Sequence, residues 1–393
     1  MKPTGVPCAP HPPATADIWV LAGQSNMEGC GYLREALAPD HRVWSFDLKN
    51  RWAIARDPMH DLINSKAPVD WNLRKANAPA DVAAKGDKAI RAYWIKRSGN
   101  IGAGLGIAFG ATYADATKRP VGLIASAHGG TSLEDWSFER RGAGWTSLYG
   151  AMLERIQMAG GNLKGILWYQ GESDASPALA ATYTERFAKW VEAVRHDTGL
   201  PELPIVTVQL GVVSDPNGSA ESWNMIRRAQ LEMPKFIPNV AVTSAIDLNL
   251  NDTIHIDALG LARLGRRMAR LALGVIMRKP AQADGPRLVK LIPRSNDREM
   301  GETDLSFTGV TGGWNPARRI TGFTLLGGDG QLHRSNGIAA VFRHPRKLKA
   351  IVVRTNAMLQ PGDQIAYGHG LFPLCNAADE ADMPLPAFTA SIS

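Results

Sequence analysis

Cysteine is scarce: Cys8, Cys30 and Cys375 are the only three in 393 residues, and no two are closely spaced. That excludes a disulfide framework or a cysteine-rich zinc site as the organising device. Long apolar runs are also missing. No stretch approaches the roughly 18 uninterrupted apolar residues that suggest a membrane-spanning helix. The first sixteen residues carry five prolines and no apolar core, so they do not read as a signal peptide or an anchor. The compartment stays open between the cytoplasm and a mature exported form. Two glycosylation sequons, at Asn217 and Asn251, count little for eukaryotic secretion, because the second abuts residues assigned below to the site.

Charge of one sign is not concentrated either. The net charge of +7 is spread along the chain, with short basic clusters only at Arg266-Arg267 and from Arg343 to Lys349. It supports no more than a mild attraction to acidic substrates. Zinc-finger spacings and RNA-binding signatures are absent, which argues against a nucleic-acid partner. The nine histidines show no metal-type spacing with acids. Internal repeats and low-complexity segments are absent, and oligomeric state is not legible.

What is present has the composition of an ordinary globular protein, with 45% hydrophobic and 21% charged residues. Its length suggests two or three domains. Five short apolar runs read as buried strands: Ile18 to Ala22, Val121 to Ser126, Gly165 to Tyr169, Leu203 to Gln209 and Val240 to Ile246. Helical segments are expected from Ile107 to Lys118, Ser147 to Met158, Ala178 to Thr198, Ser222 to Glu232 and Leu259 to Leu273. This alternation implies an α/β fold, a doubly wound parallel sheet of about five strands over residues 17–280. Residues 29–100 read as an irregular insertion, whose Trp44, Trp52, Trp71 and Trp94 either pack it onto the core or line a sugar-binding surface. Pro280 to Pro286 is linker-like, and short β-type runs beyond it suggest a smaller all-β domain over 281–393.

Four of the strands run into loops with chemical potential. Ser25 follows the first, Gly129 and Gly130 the second, Gln170 and Glu172 the third, and Asp252 and His255 the fifth. In open parallel sheets ligands bind beyond the carboxyl ends of the strands, so these loops are expected to converge. An arbitrary serine after a strand is more often a helix cap. Here the other loops supply what acyl transfer through a serine requires. His255 is the candidate base and Asp252 the acid that orients it. The backbone N–H of Ser25, that of Gly129 or Gly130, and the Gln170 amide are candidate oxyanion donors. A Gly-x-Ser-x-Gly elbow is lacking, which excludes the lipase-type reading of His128-Gly-Gly130. No cofactor is needed for this chemistry.

Gly23-Gln-Ser-Asn-Met27, Gly129-Gly-Thr131, Trp168-Tyr-Gln-Gly-Glu-Ser-Asp174 and Asp252-Thr-Ile-His255 occur in that order. Together they resemble the four blocks of SGNH-type carbohydrate esterases, in the branch of sialate O-acetylesterases and acetylxylan esterases (carbohydrate esterase family six). The segment Asn376 to Phe388, with Leu385-Pro-Ala-Phe388, resembles the end of such chains more loosely. The resemblance implies a flavodoxin-like fold, a serine nucleophile and an acetylated carbohydrate as substrate. It also makes Glu172 a second candidate for the acid beside His255, or an anchor for the loop carrying Gln170. The competing functions are a non-catalytic carbohydrate-binding protein on the same fold and a small-acyl esterase or thioesterase.

Overall fold

The computed structural model describes residues 11–277, 285–295 and 300–392; Cys8 and most of the linker-like segment at 280–286 lie outside them. All five expected strands form. They are β1 (Asp17–Gly23), β4 (Val121–Ala125), β5 (Asn162–Tyr169), β6 (Ile205–Gln209) and β7 (Val240–Ser244). Three further strands arise inside the segment expected to be irregular: the short Gly31–Tyr32, β2 (Val43–Phe46) and β3 (Trp52–Ile54). That segment also contributes helices α2 (Pro68–Ala76) and α3 (Asp87–Ser98), after the single turn α1 (Ser25–Glu28). The later helices are α4 (Gly106–Thr117), α5 (Leu148–Ala159), α6 (Tyr183–Thr198), α7 (Ala220–Phe236) and α8 (Ala258–Ile276). The expected helix from 178 is in fact two, Pro177–Ala181 and then α6.

The chain packs into two compact units that interleave in sequence. One gathers residues up to 170 with 189–203 and 255–269; the other gathers 171–188, 204–254 and everything from 270 onward. Within the first unit the strand order is β3-β2-β4-β1-β5. Only the edge pair β2/β3 is antiparallel, while β2/β4, β4/β1 and β1/β5 are parallel. Every residue of β1 is buried, as expected for a central strand covered on both faces. Trp19 meets Phe109 and Tyr113 of α4 edge-on, with centroids 5.2 and 5.6 Å apart. Trp52 of β3 is buried, and its Nε1 donates to Ala159 O at 3.3 Å. This tryptophan packs the insertion onto the core.

In the second unit β6 and β7 pair in parallel, Ile205 opposite Val240. Beyond α8 the described residues form β-strands, turns and loops only. A four-stranded antiparallel sheet contains β8 (Arg287–Ser295), β9 (Gly301–Thr308), β11 (Ile338–Arg343) and β12 (Ala350–Thr355), in the order β8-β9-β12-β11. A three-stranded sheet contains β10 (Phe323–Leu326), β13 (Gln364–Tyr367) and β14 (Phe388–Ser391), with β13 central. Their core of Leu305, Phe307, Trp314, Ile351 and Leu385 also takes in Val212 and Ile246, which follow β6 and β7. The change in texture near residue 280 is therefore a change of secondary-structure class, while compactness divides the chain elsewhere.

One glycine sets the geometry at the end of β1. Gly23 has φ +128°, and a Cβ there would lie 2.2 Å from Tyr169 O. The missing side chain lets the turn press against the end of β5, where Gln24 N–H donates to that same carbonyl at 2.8 Å. Gly23→Ala should therefore lower stability by about 3 kcal/mol, since a β-carbon there meets unyielding backbone and an unfavourable φ. Urea denaturation checks this; a loss below about 1 kcal/mol would mean that the turn relaxes freely.

Candidate active site

Ser25 is the first residue of α1, and Gln24 occupies the capping position. A capping serine would accept a backbone N–H through its hydroxyl. Ser25 does not: among the described residues neither its N–H nor its hydroxyl has a hydrogen-bond partner, and the residue is 8% exposed. Its N–H is one of the donors that a helical first turn leaves unused.

The chain leaving β4 continues to track β1. Ser126 N–H donates to Leu21 O at 2.9 Å and His128 N–H to Gly23 O at 3.0 Å. This ladder brings Gly129 beside the serine, so that a Cβ on Gly129 would stand 3.3 Å from Ser25 Cβ. Gly130 follows with φ +73° and open space on its missing-side-chain face. The two glycines, left equivalent by the sequence, differ here. Gly129 N–H donates to Glu28 Oε2 at 2.7 Å, so it is not an available oxyanion donor in this structure. Gly130 N–H meets no acceptor among the described residues.

Gln170, at the end of β5, is fully buried and donates through Nε2 to Thr131 O at 3.2 Å. Thr131 in turn donates its hydroxyl to His128 O at 2.8 Å and accepts from Trp136 Nε1 at 3.1 Å. The glycine loop and the glutamine are thus one hydrogen-bonded assembly. His128 belongs to that scaffold: it is buried, with Nδ1 3.0 Å from Gly129 O and Nε2 3.3 Å from Asp70 O. Beside His255, Ile256 N–H donates to Asn26 Oδ1 at 3.0 Å. The residue after the histidine is therefore tied to the residue after the serine.

The structure thus brings Ser25, Gly129, Gly130, Gln170 and the segment bearing His255 together in the first unit. Asp252 and Glu172 belong to the second unit. Asp252 is exposed, and its Oδ1 accepts the Ile254 N–H at 2.9 Å, a local turn bond. Glu172 opens a single 3-10 turn whose Asp174 is fully buried and paired with Arg186 at 2.7 Å.

Sequence reasoning overlooked the residues that hold this loop assembly. Glu28 spans two partners, with Oε2 on Gly129 and Oε1 accepting from Arg74 Nη2 at 2.9 Å. Arg74 lies over the Trp94 ring, 4.4 Å from its centroid, and Trp94 Nε1 donates to Arg74 O at 2.9 Å. His60 Nδ1 sits 2.9 Å from Glu28 O, where it must carry the proton and donate. Burial holds this histidine neutral, its pKa pushed down to about 4. Beneath lies the buried pair Asp70–Arg155, at 3.0 Å, with Ser65 bonded to both. Glu28 directly follows the first sequence block, three residues after Ser25, and that spacing is the one signal that could have singled it out.

Asp57 is a partly buried residue whose carboxyl has no cation beside it among the described residues. Oδ2 accepts Gly104 N–H at 3.2 Å, while Oδ1 has no partner among the described residues. Burial pushes its pKa up to about 7. Among the described residues no group of three or more His, Cys, Asp or Glu is placed to hold a metal ion, and no helix is long and apolar enough to cross a membrane.

The model of a family described as carbohydrate esterase, sialic acid-specific acetylesterase, matches residues 15–274. A probable carbohydrate esterase of Arabidopsis thaliana is 30% identical over 277 residues, covering 67% of this chain and 92% of the relative. Among solved structures, a carbohydrate acetylesterase from Xanthomonas citri superposes with a TM-score of 0.65 at 21% identity, over 95% of this chain and 80% of that one. A protein from Arabidopsis thaliana gives 0.51 at 26% identity, over 66% and 98% respectively. At its low identity, the Xanthomonas likeness speaks for the fold, the doubly wound α/β sheet with an all-β region expected from the sequence.

Two outcomes test the scaffold. Glu28→Ala should cost about 3 kcal/mol in equilibrium denaturation, because it strands Arg74 and the Gly129 N–H in a mostly buried place. A cost below about 1 kcal/mol would reduce the pair to a surface salt bridge. Asp57 holds its proton in the folded protein above the pH at which an unfolded chain has released it, so its contribution is lost as pH rises from about 4 through 7. Asp57→Asn cannot ionise. Its melting temperature should gain on the wild type between pH 5 and pH 8; an unchanged difference would refute the raised pKa.

Proposed function

The chain belongs to the carbohydrate esterase family whose model is described as sialic acid-specific acetylesterase, and from that premise we propose that this carboxylic ester hydrolase removes O-acetyl groups from a glycan through an acetyl-enzyme on Ser25. The observation that carries the proposal is the state of Ser25. Among the described residues its hydroxyl and its N–H are both without partners, at the end of a buried strand, beside the Gly129-Gly130 loop.

In the proposed reaction His255 removes the proton from the Ser25 hydroxyl as the oxygen attacks the acetyl carbonyl. Negative charge on the carbonyl oxygen is taken by the Ser25 N–H, the Gly130 N–H and the Gln170 amide. Gly129 acts differently: its N–H on Glu28 fixes the loop from which its neighbour donates. His255 then protonates the departing sugar oxygen. Water, deprotonated by the same imidazole, releases acetate and restores the serine. Asp252 orients His255 in this proposal, and Glu172 is the alternative acid. The substrate is an acetylated carbohydrate of the sialic acid, xylan or related class.

Ser25→Ala should lower acetate release from an aryl acetate by at least about a thousandfold while the melting temperature stays unchanged. Gln170→Ala should lower kcat by roughly a hundredfold. A folded Ser25→Ala variant with wild-type turnover would overturn the mechanism. Acetate release from acetylated sialic acids, xylan fragments and acetylated monosaccharides then ranks the substrates, and a preference for longer acyl chains on non-sugar alcohols would favour a general esterase.

A further inference from the structure

The basic cluster that begins at Arg343 plays no part in the chemistry above. It borders an open groove of about 910 Å³ in the second unit, whose walls include Arg318, Arg319, Phe323, Phe342, Arg343 and Leu348. Among the described residues no carboxylate lines it. Several of the surrounding cations are spoken for. Glu302 pairs with Arg294 and Arg354, and Asp304 with Arg294, His344 and Lys347. Arg343 has Glu380 only at 3.9 Å. Arg318 and Arg319 are exposed and have no ion-pair partner among the described residues.

Their place is fixed by the backbone. Thr321 N–H donates to Asn376 Oδ1 at 2.9 Å and Asn376 Nδ2 donates to Arg319 O at 3.1 Å. Arg319 itself is held at φ +57°, a conformation a non-glycine residue keeps only when its surroundings impose it. The same segment seals the edge of β11, where Ile320 N–H donates to Val341 O at 3.1 Å and Arg343 N–H to Ala317 O at 3.0 Å. That edge is closed at these positions to a peptide joining as an extra strand. What the groove offers is guanidinium groups and apolar or aromatic walls. Guanidinium forks pair with carboxylates bidentately, and phenyl rings and a leucine suit the C–H faces of sugar rings.

We propose that this groove binds a carboxylate-bearing oligosaccharide, with Arg318 and Arg319 taking the carboxylate. The choice of a sugar as ligand rests on the carbohydrate esterase family; the negative charge rests on the groove alone. The site would hold an acidic glycan independently of the serine chemistry.

Affinity electrophoresis of the full chain tests this, with polygalacturonate as the probe, its fully methyl-esterified form as the neutral match and polyglutamate as a sugar-free polyanion. Polygalacturonate alone should retard the protein. The double variant Arg318→Ala/Arg319→Ala should bind it at least tenfold more weakly, with wild-type melting temperature and aryl acetate turnover. Ser25→Ala should bind like the wild type, so a failure of the catalytic proposal leaves this reading separate. Undiminished binding by the arginine variant, equal retention by the methyl ester, equal retention by polyglutamate, or no retention by polygalacturonate would each overturn it.

Discussion

A carboxylate placed against a backbone N–H in a mostly buried setting needs a countercharge, and the Glu28–Arg74 pair meets that need for the whole first unit. Through Glu28 the turn that starts at Ser25 and the loop that ends at Gly130 are one object. The consequences spread outward. Arg74 is braced by Trp94, His60 stays neutral against the Glu28 carbonyl, and Asp70 and Arg155 neutralise each other below. Preorganised donors are useful to catalysis because they do not have to be assembled as charge develops. In the proposed reaction that preorganisation would come from the contacts of Glu28 with Gly129 and Arg74.

The strands that carry the site were legible because each is a continuous apolar run ending in glycine or a polar block, a pattern that needs no partner to be read. The short edge strands were not. Val43–Phe46 and Trp52–Ile54 owe their existence to pairing with each other and with β4, and runs of four and three residues carry no period. Their one local sign is the turn at Asp47, whose carboxylate accepts the N–H groups of Lys49 and Arg51 at 2.9 and 3.0 Å. Tryptophans in that segment suggested either packing or a sugar surface. Trp52 packs: it is buried, and its indole N–H donates to Ala159 O.

The grouping of the candidate residues was legible in the sequence, their detail less so. Serine, histidine, glutamine and two glycines could be named from loops at strand ends, yet nothing local distinguishes one glycine from the next. What separates Gly129 from Gly130 is a carboxylate 101 residues away in sequence. Arg74 was invisible for a related reason: on a helix rich in polar residues, an arginine that turns inward looks like any other until its partner is known. Long-range electrostatic choices of this kind are decided by the fold and not by the pattern that announces it.

The second unit is closed by a small detail in the segment that resembled the end of related chains. Gln209, fully buried at the end of β6, donates to Ala387 O at 2.9 Å and accepts Ala387 N–H at 2.7 Å. These two groups meet across 178 residues. While the chain is being made from its amino end, β6 therefore emerges long before the backbone that satisfies its glutamine. Gln209 Nε2 also donates to Arg227 O at 3.0 Å, a partner made soon after it, so what waits for Ala387 is the rest of the amide's bonding. The second unit can therefore close only after Ala387 has been made, whereas the strands around Ser25 up to Tyr169 can pair as soon as they are synthesised.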